Sequence, residues 1–530
     1  MRAMLNHLLL ATALVAAQPA LAQNVAVPTF AEETATSGIT TAYDGDWFFM
    51  VGGGIAAFDC DADAYPDLLL PGGSSPAQLY RNTSQKGGAL TFEKVDSGID
   101  LVDVSGAYPA DIDSDGITDL VIIRVGENVV MRGLGACRFE RANEAWNFDG
   151  GNAWSAALAV TWEHGASWPT VAVGNYIDRE EEISPWGSCT DNWLHRPDEP
   201  GKFAAPVPLK PSFCALSMLF TDWNRSGTAS LRIANDREYY EGGQEQMWLI
   251  PAGGEPKLMT AADGWKVLRI WGMGIASTDL NGDGYPEYFL TSMADNKLQT
   301  LTAPADSPKP DYKDIAFASG VTAHRPYVGD DLRPSTAWHA QFEDVNNDGL
   351  LDLFVAKGNV DEMPDFAQHD PNNLLLQTAE AKFVESGDKA GIDTNGNSRG
   401  GAVVDLNLDG LLDLVVTNRR AGAQVWRNES TNAGNWIELA VRQPAPNVDA
   451  INGWLEVKHG DAVMRRELTI GGGHAGGQLG WLHFGLGVET ATSATITWPD
   501  GTKSDYPDLK ANGFYTLTKG EAAVAVTPRD

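Results

Sequence analysis

Asp111-Ile112-Asp113-Ser114-Asp115-Gly116-Ile117-Thr118-Asp119-Leu120 decides the fold. Oxygen-bearing side chains stand at positions 1, 3, 5 and 9, glycine stands at 6, and an apolar run follows. A hard cation such as Ca²⁺ takes six to eight oxygen ligands at about 2.3–2.6 Å. A chain that offers an oxygen at every second residue and bends at a glycine wraps one such ion. The pattern returns at Asp59, Asp279, Asp344 and Asp405. Its repetition is much stronger evidence than any single copy.

The side-chain ligands expected are Asp59, Asp61, Asp63 and Asp67 in the first loop, and Asp111, Asp113, Asp115 and Asp119 in the second. Asp279, Asn281, Asp283 and Glu287 follow, then Asp344, Asn346, Asp348 and Asp352, and last Asp405, Asn407, Asp409 and Asp413. Position 7, held by Tyr65, Ile117, Tyr285, Leu350 and Leu411, is expected to supply a backbone carbonyl. About five Ca²⁺ sites result. An EF-hand is excluded, because no glutamate stands at position 12 and strands follow in place of helices. Two like charges about 4 Å apart repel by roughly 4 kcal/mol at an effective dielectric of 20. Bare loops would therefore open or take up protons, and an acidic turn without an ion is the poorer alternative. Ala64 replaces glycine at position 6 of the first loop, which costs about 1 kcal/mol or more if φ must be positive there.

Two weaker copies complete the series. Asp222 to Leu231 keeps the frame with poor ligands, and Trp162 to Val171 aligns through Trp168-Pro169-Thr170-Val171. Seven units then start at 59, 111, 162, 222, 279, 344 and 405, a period that points to four-stranded propeller blades. Each unit opens on a small-residue strand such as Gly53 to Phe58 or Gly272 to Ser277, suited to the crowded axis. The acidic loop and a buried apolar strand follow, and then a third strand such as Gln78 to Asn82 or Gln424 to Asn428. The fourth is a Phe-led strand near Phe92 or Phe383. The last unit lacks a fourth strand, while an unpaired copy of that element lies near residues 28–34. The N-terminal strand is expected to complete the last blade and remove an exposed sheet edge.

The period stops near residue 432. Short strands at 435–441, 454–458, 464–470, 480–484, 493–498 and 514–518, parted by glycine turns, predict a small β-sandwich. The expected class is all-β: a seven-bladed β-propeller over 23–432 and a β domain over 433–522, with a tail at 523–530. Residues 1–22 read as a signal peptide, with Arg2, an apolar run from Leu8 to Ala17 and the Ala20-Leu21-Ala22 cleavage pattern. That run is too short to span a bilayer comfortably, and no second long run follows.

A net charge of −33 opposes nucleic acid and anionic lipid, while 43% hydrophobic residues are those of a globular chain. Cys60, Cys137, Cys189 and Cys214 allow three pairings. Cys189 with Cys214 is preferred because they flank one Pro-rich stretch, leaving Cys60 with Cys137. The Cys189–Cys214 staple is expected to stand in for the missing ions of units three and four.

The acidic loops in a blade-length repeat resemble those of FG-GAP/VCBS propellers, which integrin α-subunits share. Ile451-Asn452-Gly453, His483-Phe484-Gly485-Leu486-Gly487 and Trp498-Pro499-Asp500-Gly501 are similar to the ASPIC/UnbV domain. The two together form the layout of the cartilage acidic protein family. Asn452, and the ligand-poor loops of units three and four, depart from the family pattern. The resemblance implies calcium binding and an extracellular binding or adhesion role, and no known reaction.

Other signals are weaker. Gly471 to Gly477 reads as a flexible hairpin loop, since no K-[ST] follows it. His324, His339 and His369, with Asp361 and Asp365 nearby in sequence, read as loop and surface residues rather than as a transition-metal or catalytic site. The 17 tryptophans read as blade packing. Asn82, Asn224 and Asn428 begin N-x-[ST] sequons. The leading reading is a non-enzymatic, calcium-dependent binding protein, secreted or periplasmic, that engages an extracellular protein or glycan. The alternatives are a lyase-like, calcium-dependent propeller enzyme on acidic polysaccharide and a purely structural partner. A lyase needs a base and a basic cleft, which 38 Lys+Arg against 71 Asp+Glu disfavour.

Overall fold

The computed structural model describes residues 25–181, 187–237, 244–302, 309–322, 336–360 and 370–528. The expected signal peptide at 1–22 and His324, His369, Asp361 and Asp365 lie outside them. The described chain is all-β, and its helical elements are single turns at Trp47–Met50, Ala316–Ser319 and Gly387–Ala390.

Seven four-stranded antiparallel units follow one another along the chain. Unit one is Ala56–Phe58, Asp67–Leu70, Gln78–Asn82 and Phe92–Lys94, and unit two is Val104–Ala110, Asp119–Gly126, Val129–Gly133 and Phe139–Arg141. Unit three takes its outer strands from Asn192–His195 and Val207–Leu209. Units four to seven begin at Ala215–Thr221, Gly272–Thr278, Ala337–Glu343 and Ser398–Val404. Each innermost strand packs on that of the next unit, and Ser398–Val404 packs on Ala56–Phe58, so the order of neighbours returns to its start. The N-terminal strand Phe30–Glu32 pairs with the last unit in the register Phe30 to Asn428, Ala31 to Arg427 and Glu32 to Trp426.

The innermost strands are buried along nearly their whole length. Their neighbours interleave Val, Leu and Ile from adjacent sheets into separate clusters, one for each joint. Such interleaving stabilises by about 25 cal/mol for each Å² of apolar surface removed from water. The disulfide Cys60–Cys137 ties the acidic loop of unit one to the outer turn of unit two. Cys189–Cys214 forms as expected, but at the other end of the strands. Cys214 immediately precedes the innermost strand of unit four, whereas the loop at 222 follows that strand. It therefore cannot substitute locally for ions in that loop.

From Asn435 onward two four-stranded sheets share one apolar core. One holds Asn435–Arg442, Leu482–Gly487, Gly513–Thr518 and Val524–Val526, and the other Trp454–His459, Ala462–Glu467, Ala491–Thr497 and Lys503–Lys510. Two differences from the sequence reading stand out. Val524–Val526, taken for tail, is an edge strand on Gly513–Thr518. Gly471 to Gly477 is a buried insertion and no flexible hairpin.

That insertion enters the axis of the ring. Ile470 bridges Val160, Gly473 bridges Ile275 and Gly476 bridges Ala107, while Gln478–Leu479 lies parallel to Ala57–Phe58. Glycines on both sides permit the approach. A Cβ on Gly106 would lie 1.7 Å from the Ala475 carbonyl oxygen, and one on Gly54 2.1 Å from the Ala475 carbonyl carbon. At the tip His474 is fully buried and accepts the Gly52 N–H at Nε2, 3.0 Å. Burial holds this imidazole down to about 3 and that of His339 down to about 4, so both are neutral. His339, read as a surface histidine, is an axial core residue.

Candidate metal centres and the capped face

Each acidic loop follows an innermost strand, so the loops crown one end of the ring. Their backbone is the same each time. Position 4 is left-handed at Ala62, Ser114, Gly282, Asn347 and Leu408, with φ of 62°, 60°, 75°, 59° and 55°. Position 6 is left-handed at Ala64, Gly116, Gly284, Gly349 and Gly410, with φ of 77°, 88°, 93°, 87° and 83°. Ala64 therefore carries the strain expected of it.

The carboxylates have distinct tasks. Position 1 accepts the amide of position 6: Asp59 from Ala64 at 2.8 Å, Asp111 from Gly116 at 2.8 Å, Asp344 from Gly349 at 2.7 Å and Asp405 from Gly410 at 2.7 Å. Position 5 accepts the amide of position 7, as Asp63 does from Tyr65 and Asp115 from Ile117, both at 2.9 Å. Asp283, Asp348 and Asp409 do the same for Tyr285, Leu350 and Leu411. Position 9 braces the loop to the third strand. Asp67 accepts from Cys60 and Asn82, Asp352 from Val345 and Gln377, and Asp413 from Leu406 and Asn428.

These oxygens suit a hard cation. Ligand atoms of Asp59, Asp61 and Asp67 lie within 4.8 Å of one another, as do those of Asp111, Asp113 and Asp115. Asp61 Oδ1 and Asn407 Oδ1 are buried with no hydrogen-bond partner among the described residues. The Nδ2 groups of Asn346 and Asn407 donate outward, to the carbonyls of Ala26 and Gly88, which turns their Oδ1 atoms into the loops. Burial pushes the Asp67 and Asp119 carboxyls up to about 8 and those of Asp111 and Glu287 up to about 7. Burial and neighbouring carboxylates raise Asp344, Asp352, Asp405 and Asp413 well above the ordinary range.

The C-terminal domain sits on this crown and touches every unit. Trp481 Nε1 donates to the Ala64 carbonyl at 2.9 Å, and Asn447 N to Ser114 Oγ at 3.2 Å. Asn452 Nδ2 donates to Thr161 Oγ1 at 2.6 Å. Glu467 accepts the Asp222 amide at 2.5 Å, and Arg465 pairs with Asp279 at 2.9 Å. His483 Nε2 meets Asn347 Oδ1 at 2.6 Å, and Trp436 packs with Leu408 against the loop of unit seven. Between this cap and the ligand-poor loops of units three and four lies a cleft of about 890 Å³, bordered by Trp162, His164, Pro251, Pro446, Asn452 and Lys519.

The sequence reading missed two side chains. Asn82 and Asn428, noted there as sequons, are fully buried. Asn82 Nδ2 donates to the carbonyls of Pro66 and Leu406, and Asn428 Nδ2 to those of Val345 and Leu412. Each latches its own loop to the loop of the neighbouring unit. The signal was present in the Arg-Asn pair that ends both third strands, Arg81-Asn82 and Arg427-Asn428.

Residues 344–416 match the family model of the FG-GAP-like repeat, and residues 443–524 match that of ASPIC and UnbV. The chain is 25% identical to cartilage acidic protein 1 of Mus musculus over 237 residues, 43% of this chain and 34% of that protein. It is 31% identical to cartilage acidic protein 1 of Homo sapiens over 165 residues, 30% of this chain and 24% of that protein. The matches thus span about a third or less of these relatives. Among solved structures, BBS1N in its complex with ARL6DN is similar at a TM-score of 0.43 and 9% identity, over 77% of this chain and 98% of that one.

Proposed function

We propose that this chain, which carries an FG-GAP-like repeat and an ASPIC/UnbV domain, is a calcium-dependent extracellular interaction protein. The observation that carries the reading is the convergence of charge-crowded oxygens in the loops at 59, 111, 344 and 405, with Asp61 Oδ1 and Asn407 Oδ1 buried and unpartnered among the described residues. There Asp59, Asp61 and Asp63, Asp111, Asp113 and Asp115, Asp344, Asn346 and Asp348, and Asp405, Asn407 and Asp409 would hold the ion. Asp67, Asp119, Asp352 and Asp413 brace each loop to its third strand, and Asp67 also keeps an oxygen within 4.8 Å of those of Asp59 and Asp61. Calcium supplies the positive charge that the crowded carboxylates lack, so its binding energy becomes folding energy.

The cap occupies the crown of loops, which leaves the opposite face for a partner. There Trp47, Phe48 and Trp271 lie partly buried over an aromatic cluster that includes Trp154, Tyr176 and Trp338. Aromatic groups with one open side are common anchors in protein and glycan recognition. Two disulfides support a place outside the cytosol. The test is an array of extracellular proteins and glycans probed with the full chain in calcium and in EGTA. Partner binding lost in EGTA, and lost on Trp47→Ala in calcium, supports the reading. Uronate cleavage that raises ultraviolet absorbance would replace it with the lyase.

A further inference from the structure

The loop of unit five differs from the other acidic loops in three ways. First, Arg465 of the cap reaches it. Its Nη1 lies 2.9 Å from Asp279 Oδ2 and 3.2 Å from the Gly282 carbonyl, the oxygens of positions 1 and 4. Second, the position 1 carboxylate keeps the position 6 amide, with Gly284 N at 3.0 Å, but loses the position 5 amide. Asp59, Asp111, Asp344 and Asp405 each accept the position 5 amide, at 3.2, 3.1, 3.0 and 3.2 Å. Here the Asp283 amide donates to Asn281 Oδ1 instead, and Asp279 Oδ1 is buried without a partner among the described residues. Third, the position 3 amide is turned around. Asn346 and Asn407 send Nδ2 out of their loops, whereas Asn281 Nδ2 points in, at 3.1 Å from Asp283 Oδ2 and 2.7 Å from Glu287 Oε1.

Two donor groups therefore stand among oxygens that elsewhere face inward together. A guanidinium offers up to five N–H donors and keeps its charge at any physiological pH. Glu456 steadies it at Nε, 3.4 Å away. Arg132, which meets Asp113 and Asp115, is another case. It is 41% exposed, and it leaves the bond from the Asp115 amide to Asp111 intact.

We infer that Arg465 is the resident cation of the unit five loop, so that cap docking takes the place of a metal ion there. This rests on the reading that the other acidic loops bind calcium. The unit five loop then joins cap to ring in the absence of calcium, while the others depend on the ion.

The test is the number of calcium equivalents retained by the full-length chain after equilibrium dialysis, read by elemental analysis. Arg465→Gln should add one equivalent to the wild-type count, and Arg132→Gln should add none. Asp344→Asn should remove one, and Asp279→Asn should remove none. If Arg465→Gln does not fold, the two aspartate variants decide the matter. Loss of an equivalent in Asp279→Asn, or no gain in a folded Arg465→Gln, overturns the inference. Absence of calcium from the wild type overturns the proposed function itself.

Discussion

Gly410→Ala is expected to unseat the cap, and its cost can be worked out by comparison with Gly116→Ala. Both glycines hold position 6 of an acidic loop, with φ of 83° and 88°. A non-glycine residue in that region costs about 1–2 kcal/mol, and the stiffer unfolded chain returns about 0.4–1 kcal/mol. Nothing lies within 4 Å of a Cβ built on Gly116. Gly116→Ala should therefore destabilise by about 0.5–1 kcal/mol. A Cβ on Gly410 would lie 1.8 Å from Trp436 Cε2 and 2.0 Å from Nε1. Trp436 is wedged between this loop and Phe514, with a ring separation of 5.1 Å. Overpacking of that kind adds about 1–3 kcal/mol, which brings the total to about 1.5–4 kcal/mol. Urea unfolding of the two variants, and of each in a Trp436→Ala background, forms a double-mutant cycle. The extra cost of Gly410→Ala should vanish without the indole. An equal penalty for both glycines, or an extra cost that survives Trp436→Ala, would show that the cap does not rest on this loop.

Stability should fall more steeply with pH without calcium than with it. Carboxyls whose folded value is raised, such as Asp67 and Asp119 at about 8, contribute no penalty below their unfolded range near 4 and a growing one as pH rises through about 8. In chelator the melting temperature should fall from pH 5 to 8, and the gain on adding calcium should widen over the same window. A constant gain would contradict this. Asn428→Ala should cost about 2–3 kcal/mol, because the Val345 and Leu412 carbonyls lose a shared donor in a buried site; a urea midpoint unchanged from wild type would refute the latch. Replacing both Cys60 and Cys137 by serine opens a loop with a sequence separation of 77 residues, at a cost of about 4.5 kcal/mol in the chain-entropy model. Thermal unfolding measured in calcium checks that figure.

The ring was legible because its signals are local. An oxygen at every second residue of Asp111 to Asp119, a following apolar strand and the unpaired strand near Phe30 need no knowledge of distant contacts. The cap's docking was not legible, since it depends on residues that alternate along one strand. Arg465 turns to Asp279 while Arg466 turns to Glu343, and only the tertiary placement of the Ala462–Glu467 strand selects those partners. The Gly471 to Gly477 stretch misled for a related reason. Glycine signals freedom in isolation, yet here its lack of a side chain admits backbone against backbone at Gly54 and Gly106. The small residues of the innermost strands and the glycines of the cap are two halves of one close approach. The disulfide partners were readable from spacing, but which end of the blade they staple was not.

Calorimetry of the purified full chain before and after removal of divalent ions, with elemental analysis of the same samples, tests the central claim most directly. The account predicts several bound calcium ions per chain and a melting temperature that falls on chelation and returns when calcium is restored. An unchanged melting temperature in a protein that carries no divalent metal would contradict it.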